Sequence, residues 1–225
     1  MARTPHRSPE LAIVIIDSRG TVHAGTQAWL TGDAARVTIV GSYPDSAGFL
    51  TDHPTATPAV DVVVLALTSD GKGPDVVALE RLCRAGHRVV VFGDLVRGET
   101  ILSCLDAGAV SYVVKRENGE DYIAATLHTG AGALCLGTHV PRAMSNGMNV
   151  GRPELTVREC EVLIAWCHAA TKHEVAEKLS IERATVSTHL QRIRAKYAGV
   201  GRPATTKAAL IARAIQDGLV HLDEL

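Results

Sequence analysis

The sequence predicts an α/β fold, a doubly wound five-stranded parallel sheet, followed by an all-α domain of four helices. In the first part of the chain, Val- and Ile-rich runs alternate with helix-like segments, which is the pattern of a parallel sheet covered on both faces. In the second part, apolar residues recur at helical spacing between capping signals.

Five apolar runs are predicted to form the strands, at 11–16, 37–40, 60–67, 88–92 and 109–114. The helix-like segments lie near 21–31, 44–53, 74–85, 97–107 and 119–131. In open sheets of this kind, ligands bind beyond the carboxyl ends of the strands. We therefore expect any functional residues of this part to follow the strands.

Capping signals divide the C-terminal part into four helices. Leu155–Cys160 and Thr171–Glu174 each contain a capping box, in which a Thr side chain and a Glu side chain exchange hydrogen bonds with the first turn. A tight turn at Ser180–Ile181 leads into the third helix. Arg202-Pro203 is predicted to open the fourth helix, and Asp217-Gly218 to close it. This order is that of a helix-turn-helix domain.

The third helix, over 185–197, has one apolar stripe and a polar opposite face. The stripe consists of Val186, Leu190, Ile193 and Tyr197. Six basic residues and one acidic residue lie between 182 and 207. Such a helix can enter the major groove of DNA, whereas taken alone it could equally be a solvated surface helix. The helix-turn-helix order around it favours DNA.

Four motifs resemble the DNA-binding domain of the LuxR/NarL family, over roughly residues 153 to 220. Leu155–Leu163 is similar to its L-T-x-R-E-x-E-V-L opening, Glu174–Leu179 to its E-I-A-x-x-L, and Thr185–Leu190 to its T-V-K-x-H-L. Gly218–Val220 matches the usual ending. The resemblance implies sequence-specific binding of double-stranded DNA.

The resemblance also implies roles for individual residues. Those expected to contact base edges are Ser187, Thr188 and Gln191. Those expected to contact the DNA backbone are Lys172, Thr185, Arg192 and Lys196. Three features depart from the family pattern. Ser187 replaces a common Lys, which weakens a charged base contact, and Glu182 replaces a capping Ser. The segment 197–207 is longer than usual.

The fourth helix is apolar on two sides, which indicates two packing partners. One stripe is formed by Ala208, Ile211 and Ile215, and the other by Leu210 and Ala214. We predict that Ala208, Ile211 and Ile215 make dimer contacts, so that a homodimer binds a pseudo-palindromic site. The alternative is that the second stripe packs on the N-terminal domain.

The first part resembles a response-regulator receiver domain, a flavodoxin-like fold. The resemblance rests on Ile13–Asp17, Asp61–Leu65 and Ala107–Lys115. A receiver followed by a LuxR-type domain is the NarL-type arrangement. It implies a pocket with two carboxylates for Mg²⁺, a phosphoacceptor Asp, a Ser or Thr, and a Lys.

This pocket is degenerate in the sequence. Asp17 and Lys115 are kept, but Ser18 replaces the second carboxylate, Ala66 stands at the phosphoacceptor position, and Gly93 stands near the Ser or Thr position. Ala66 has no side-chain oxygen and cannot form an acyl phosphate. Neither Asp17 nor the loop residue Asp70 is expected to replace it, because the metal and oxyanion partners are also depleted.

The domain is therefore predicted to be a pseudo-receiver, and the protein to act without aspartyl phosphorylation. Three modes remain open: constitutive dimerisation, binding of a small metabolite in the vacated pocket, and heterodimerisation with another regulator. Tyr112 occupies the family's aromatic switch position, although a core aromatic residue explains it equally well.

Length and composition fit two domains without catalytic or membrane-spanning features. We predict a disordered N-terminus (1–10), a receiver-like domain (11–137), a linker (138–152) and a helix-turn-helix domain (153–225). The net charge is −3 for residues 1–150 and +2 for residues 151–225. The five scattered cysteines favour free thiols in a reducing cytosol. The resemblance to the LuxR/NarL family implies a bacterial cytoplasmic location, at the nucleoid. We expect no enzyme activity, metal, cofactor or membrane span.

Overall fold

The computed structural model describes residues 11–30, 37–67, 75–94, 97–115, 119–131 and 151–220. The predictions for the N-terminus (1–10), for the loop that contains Asp70 (68–74), for Cys135 and for linker residues 138–150 lie outside the described residues.

The predicted five-stranded parallel sheet is confirmed, with the strand order β2-β1-β3-β4-β5. The strands are β1 (Leu11–Ile16), β2 (Val37–Tyr43), β3 (Val62–Leu67), β4 (Val89–Gly93) and β5 (Ser111–Val114). β3 and β4 are buried along almost their whole length, as expected for Val-rich strands covered on both faces. Their carboxyl ends place Ala66 and Gly93 at the same edge of the sheet.

The helices of this part are α1 (Thr21–Leu30), α2 (Ser46–Asp52), α3 (Val76–Arg84), α4 (Gly98–Asp106) and α5 (Gly119–Gly130). α2 forms despite the prolines near it, because the Asp45 carboxylate accepts a hydrogen bond from the Gly48 N–H at 2.8 Å. On one face of the sheet, Trp29, Phe92 and Tyr122 pack edge-on or tilted, with ring centroids 5.0–6.2 Å apart. They extend the apolar core of this face.

The four C-terminal helices are α6 (Val157–His168), α7 (Lys172–Leu179), α8 (Arg183–Gly199) and α9 (Lys207–Gln216). The capping box at the start of α6 has both of its hydrogen bonds. The predicted start of the fourth helix was wrong. Residues 202–205 have no regular secondary structure, and α9 begins after Thr206, whose hydroxyl accepts from the Ala209 N–H at 3.0 Å. The predicted end is confirmed by Gly218, at φ +67°.

The chain divides into two compact units, one within residues 1–95 and 107–137 and the other within 96–106 and 138–225. This division differs from the predicted domains at one helix, because α4 groups with the C-terminal helices. Among the described helices, none combines the length and the apolarity needed to cross a membrane.

Candidate DNA interface and strand-end pocket

The helix α8 is held by the apolar stripe that its sequence predicts. Val186, Leu190, Ile193 and Tyr197 are all completely buried. The opposite face is open, with Thr188, Gln191 and Arg192 exposed. One side of α8 is therefore fixed in the core of the helical unit while the other is free to meet a ligand.

The turn before α8 sets the direction of the helix. Ser180 adopts a left-handed conformation (φ 51°, ψ 48°), and the Ile181 N–H returns to the Ala176 carbonyl oxygen at 3.0 Å. Glu182 occupies the N-cap position of α8 without a side-chain cap hydrogen bond. The first N–H groups of α8 consequently lack a cap from this residue, and residues 182–184 are exposed. An uncapped, exposed helix N-terminus favours anions such as DNA phosphates.

The three residues predicted to contact bases lie together on α8 but differ in their bonding. The Thr188 hydroxyl donates to the Ala184 carbonyl oxygen at 3.0 Å, which leaves its oxygen lone pairs and its methyl group for a partner. Gln191 is exposed. Ser187 is half-buried, and its Oγ lies 3.2 Å from the Lys172 Nζ. A positive charge therefore does lie beside position 187, supplied by α7.

The residues predicted to contact phosphates divide into two groups. Arg192 is exposed, and Thr185 and Lys172 are half-buried at the edge of the same face. Lys196 is different because its ammonium group is already engaged within the unit. It bonds the Glu159 carboxylate at 2.7 Å and the Glu154 carbonyl oxygen at 2.9 Å.

Glu159 was not identified as the partner of Lys196 by sequence reasoning, although it was identified as a capping residue. Its side chain is only 5% exposed, and it also accepts from the Thr156 N–H at 2.8 Å. Desolvation raises the pKa of Glu159, but the hydrogen bonds from Lys196 and Thr156 outweigh it and hold the pKa below its usual range. The cap of α6 and the fourth turn of α8 are thus coupled by one buried carboxylate.

The long segment after α8, which departs from the family pattern, is anchored by a second polar cluster. The Tyr197 hydroxyl donates to the Asp217 carboxylate at 2.7 Å, and Arg202 pairs with the same carboxylate at 2.7 Å. Arg202 also bonds the Gln216 side chain at 2.7 Å and lies 5.6 Å from the centroid of the Tyr197 ring. These contacts tie the end of α8 to the end of α9.

The residues predicted to form dimer contacts are not at the surface of this structure. Ala208, Ile211 and Ile215 are at most 9% exposed. α9 packs against α6 and α4 within its unit, and the hydroxyl of Thr206 donates to the Leu105 carbonyl oxygen at 2.9 Å. The dimer contact stays a prediction, and in this arrangement it requires the apolar stripe to be uncovered.

The strand-end pocket retains Asp17, but its carboxylate has a structural role. The side chain is buried and accepts from the Val22 N–H at 2.8 Å, the Arg19 N–H at 3.2 Å and the Thr21 hydroxyl at 3.4 Å. The bonds from Thr21 and Val22 hold the first turn of α1, and the bond from Arg19 closes the turn that precedes it. Ser18, at the second carboxylate position, is exposed.

Tyr112 fills the space beside Gly93. A Cβ at Gly93 would lie 2.3 Å from the Tyr112 hydroxyl oxygen, closer than any real contact, and Tyr112 is 1% exposed. Lys115 is likewise engaged, since its Nζ lies 3.3 Å from the Asp94 carboxylate. Sequence reasoning identified the vacated positions but not the groups that occupy them.

The cysteines of the described residues are free thiols. Burial raises the pKa of Cys83 to about 11 and that of Cys104 and Cys167 to about 12. At neutral pH these three side chains are therefore thiols rather than nucleophilic thiolates.

Comparisons with known proteins match both the C-terminal helices and most of the chain. The family model "Bacterial regulatory proteins, luxR family" matches residues 153–201. The transcriptional regulatory protein LiaR of Bacillus subtilis is 24% identical over 83% of this chain and 90% of its own length. The transcriptional regulatory protein MctR of Rhizobium johnstonii is 30% identical over 66% of this chain and 67% of its own length. A solved structure of the Salmonella typhimurium response regulator RcsB matches 90% of this chain and 97% of its own, with 20% identity and a TM-score of 0.54.

Proposed function

The chain belongs to the NarL/LuxR-type response regulators, which are DNA-binding transcriptional regulators, and we propose that it is an atypical member that binds DNA without aspartyl phosphorylation. The observation that carries this proposal is Ala66, which offers no oxygen at the end of β3. In this proposal residues 11–137 form a pseudo-receiver and residues 153–225 the DNA-binding domain.

The neighbours of Ala66 support the same conclusion. The Asp17 oxygens accept from the Arg19 and Val22 N–H groups at the start of α1, and the Lys115 ammonium group faces Asp94. Mg²⁺ binding and phosphoryl transfer need free oxygen ligands and an available cation. Because these groups already have partners, an added phosphodonor would find neither an acceptor nor a prepared site.

The proposed DNA-binding face consists of Ser187, Thr188 and Gln191 for base edges, with Thr185, Arg192 and Lys172 towards the phosphates. Lys196, also predicted to contact the backbone, is held by Glu159 and would need to leave it to reach a phosphate. We propose that the chain acts in the bacterial cytoplasm, at the nucleoid, as a homodimer on a pseudo-palindromic site.

A gel-shift titration of genomic fragments at several salt concentrations tests this function. Specific retardation that weakens steeply with salt is expected, and its slope counts the phosphate contacts. A chain that retards no fragment in preference to random duplex is not a sequence-specific regulator.

Treatment with acetyl phosphate and Mg²⁺ is expected to change neither the mass of the intact protein nor its affinity for the retarded fragment. The reason is the lack of an acceptor oxygen at Ala66 and the engagement of Asp17 and Lys115. Intact-mass spectrometry and the gel shift measure the two quantities on the same sample. The Asp17→Asn variant serves as a matched control for adducts at the remaining carboxylate. A stable aspartyl adduct of about 80 Da in the wild-type chain would contradict phosphorylation independence.

A further inference from the structure

Lys172 and Ser187 come from different helices but meet at the open face of α8. Lys172 is the first residue of α7, and Ser187 lies in the second turn of α8. The Lys172 Nζ is 3.2 Å from the Ser187 Oγ, and both side chains are half-buried. Gln191, one turn further along α8, shares this face with Ser187.

The direction of this hydrogen bond determines what the pair can bind. An ammonium group has three donors and no acceptor, so the Ser187 oxygen must accept from Lys172. The Ser187 hydroxyl proton then points elsewhere, and among the described residues it is donated to no partner. The Thr188 hydroxyl proton, in contrast, is already donated to the Ala184 carbonyl oxygen. Lys172 and Ser187 together therefore present hydrogen-bond donors to a ligand.

We propose that Lys172 and Ser187 act as one composite unit that selects a guanine in the binding site. The proposal rests on the proposed DNA-binding function and refines it. In the major groove, guanine presents two adjacent acceptors, N7 and O6, whereas adenine and cytosine present an amino donor and thymine a methyl group. The Lys172 ammonium group and the Ser187 hydroxyl group supply two neighbouring donors, and guanine is the base whose edge offers two acceptors to receive them. Adenine and thymine each offer one acceptor there, and cytosine offers a donor. In this assignment Lys172 reads a base rather than only neutralising a phosphate.

A double-mutant cycle on the full-length chain tests the coupling. The probe is the duplex enriched from a random pool by the wild-type chain. Lys172→Met and Ser187→Ala are each expected to weaken its binding about tenfold, and the double variant no more than the stronger single variant. Independent contacts would instead multiply the two losses. Lys178→Met, an exposed lysine of the same helix, is the matched control and should change the affinity little.

A second measurement separates base reading from phosphate binding. Replacing the selected guanine by 7-deazaguanine removes the N7 acceptor and is expected to reduce the difference between wild type and Lys172→Met, because only O6 then remains for the two donors. Losses that multiply in the cycle, or a Lys172→Met loss that is equal on random duplex, would overturn the composite unit while leaving DNA binding intact. Loss of all sequence preference in the wild-type chain would instead refute the proposed function itself.

Discussion

Replacing Lys196 by Met is expected to lower the free energy of unfolding of the C-terminal helices by about 2–4 kcal/mol. The Glu159 carboxylate would lose its only ion-pair partner among the described residues, at a position where its side chain is 5% exposed. A buried charge without its counterion keeps its desolvation cost, and the remaining Thr156 bonds offset only part of it. The coupling between the cap of α6 and α8 would weaken as well.

The pH dependence should change sign in this variant. In the wild-type chain the pKa of Glu159 is lowered, so its stabilisation is complete above the ordinary value of 4.5 and is lost as the pH falls through the folded-state pKa. Without Lys196, desolvation is no longer outweighed by that partner, and the pKa is expected to rise above the ordinary value. The variant would then recover stability on protonation. The difference from wild type should be largest near neutral pH and should shrink towards pH 4.5.

Urea unfolding followed by Trp166 fluorescence measures this effect. The chain has two tryptophans, so a Trp29→Phe background isolates the signal of the helical unit. Lys178→Met controls for the loss of a lysine at an exposed site. Glu159→Gln combined with Lys196→Met should restore most of the stability, because a Gln can still cap α6 and carries no charge. An unchanged unfolding midpoint together with weaker binding to every duplex would instead make Lys196 a phosphate contact.

The elements that depend on local patterns were predictable from the sequence. The apolar runs gave the five strands, the stripe Val186–Tyr197 gave the buried face of α8, and the Thr156 capping box gave the start of α6. Each of these signals lies within a few residues of the element that it defines. The parallel order of the strands follows from their alternation with helices.

Contacts between distant residues could not be obtained in this way. Glu159 and Lys196 are 37 positions apart, and no spacing rule relates them. The start of α9 was misplaced because Pro203 suits a first helical turn, whereas the Thr206 cap is used instead. Which apolar residues of α6 face inward is not fixed locally either: Val157 is 77% exposed, because the direction in which α6 turns its faces depends on its tertiary partners.

The strand-end pocket was likewise only partly predictable from local sequence patterns. The substitutions at Ser18, Ala66 and Gly93 were visible in the sequence, and they suggested an empty site. That Tyr112 would fill the space beside Gly93 could not be deduced, because a buried aromatic residue on β5 has several rotamers open to it. The filled space makes a metabolite in this pocket less favourable, since binding there requires Tyr112 to move.

Replacing Gly93 by Ala is expected to expel the Tyr112 ring and to destabilise the sheet-containing unit by about 1–3 kcal/mol. The added Cβ would lie 2.3 Å from the Tyr112 hydroxyl oxygen and 2.8 Å from Cζ. Gly93 is in β4, paired with β5, so its backbone cannot retreat without breaking ladder hydrogen bonds. The ring can move, but Tyr112 is 1% exposed and its removal forfeits that burial.

The matched control is Gly25→Ala. A Cβ at Gly25 meets nothing within 4 Å, and the residue lies inside α1, so this change should stabilise the chain by about 0.5–1 kcal/mol. The two variants make the same chemical change with opposite expected signs. Unfolding of the sheet-containing unit is followed by Trp29 fluorescence in a Trp166→Phe background.

Nitration with tetranitromethane reports the position of Tyr112 directly. Tyr122 and Tyr197 are buried like Tyr112, and a Tyr43→Phe background removes the more exposed fourth tyrosine. The wild-type background should then resist nitration, whereas Gly93→Ala should be modified at Tyr112 alone, as located by peptide mass. In addition, Tyr112→Leu should reduce the cost of Gly93→Ala, because the ring that obstructs the new Cβ is gone. The contrary outcome is that Gly93→Ala is tolerated as well as Gly25→Ala and Tyr112 stays unmodified. The space beside Gly93 would then be open, and a ligand in the strand-end pocket would be the better account of how this regulator is controlled.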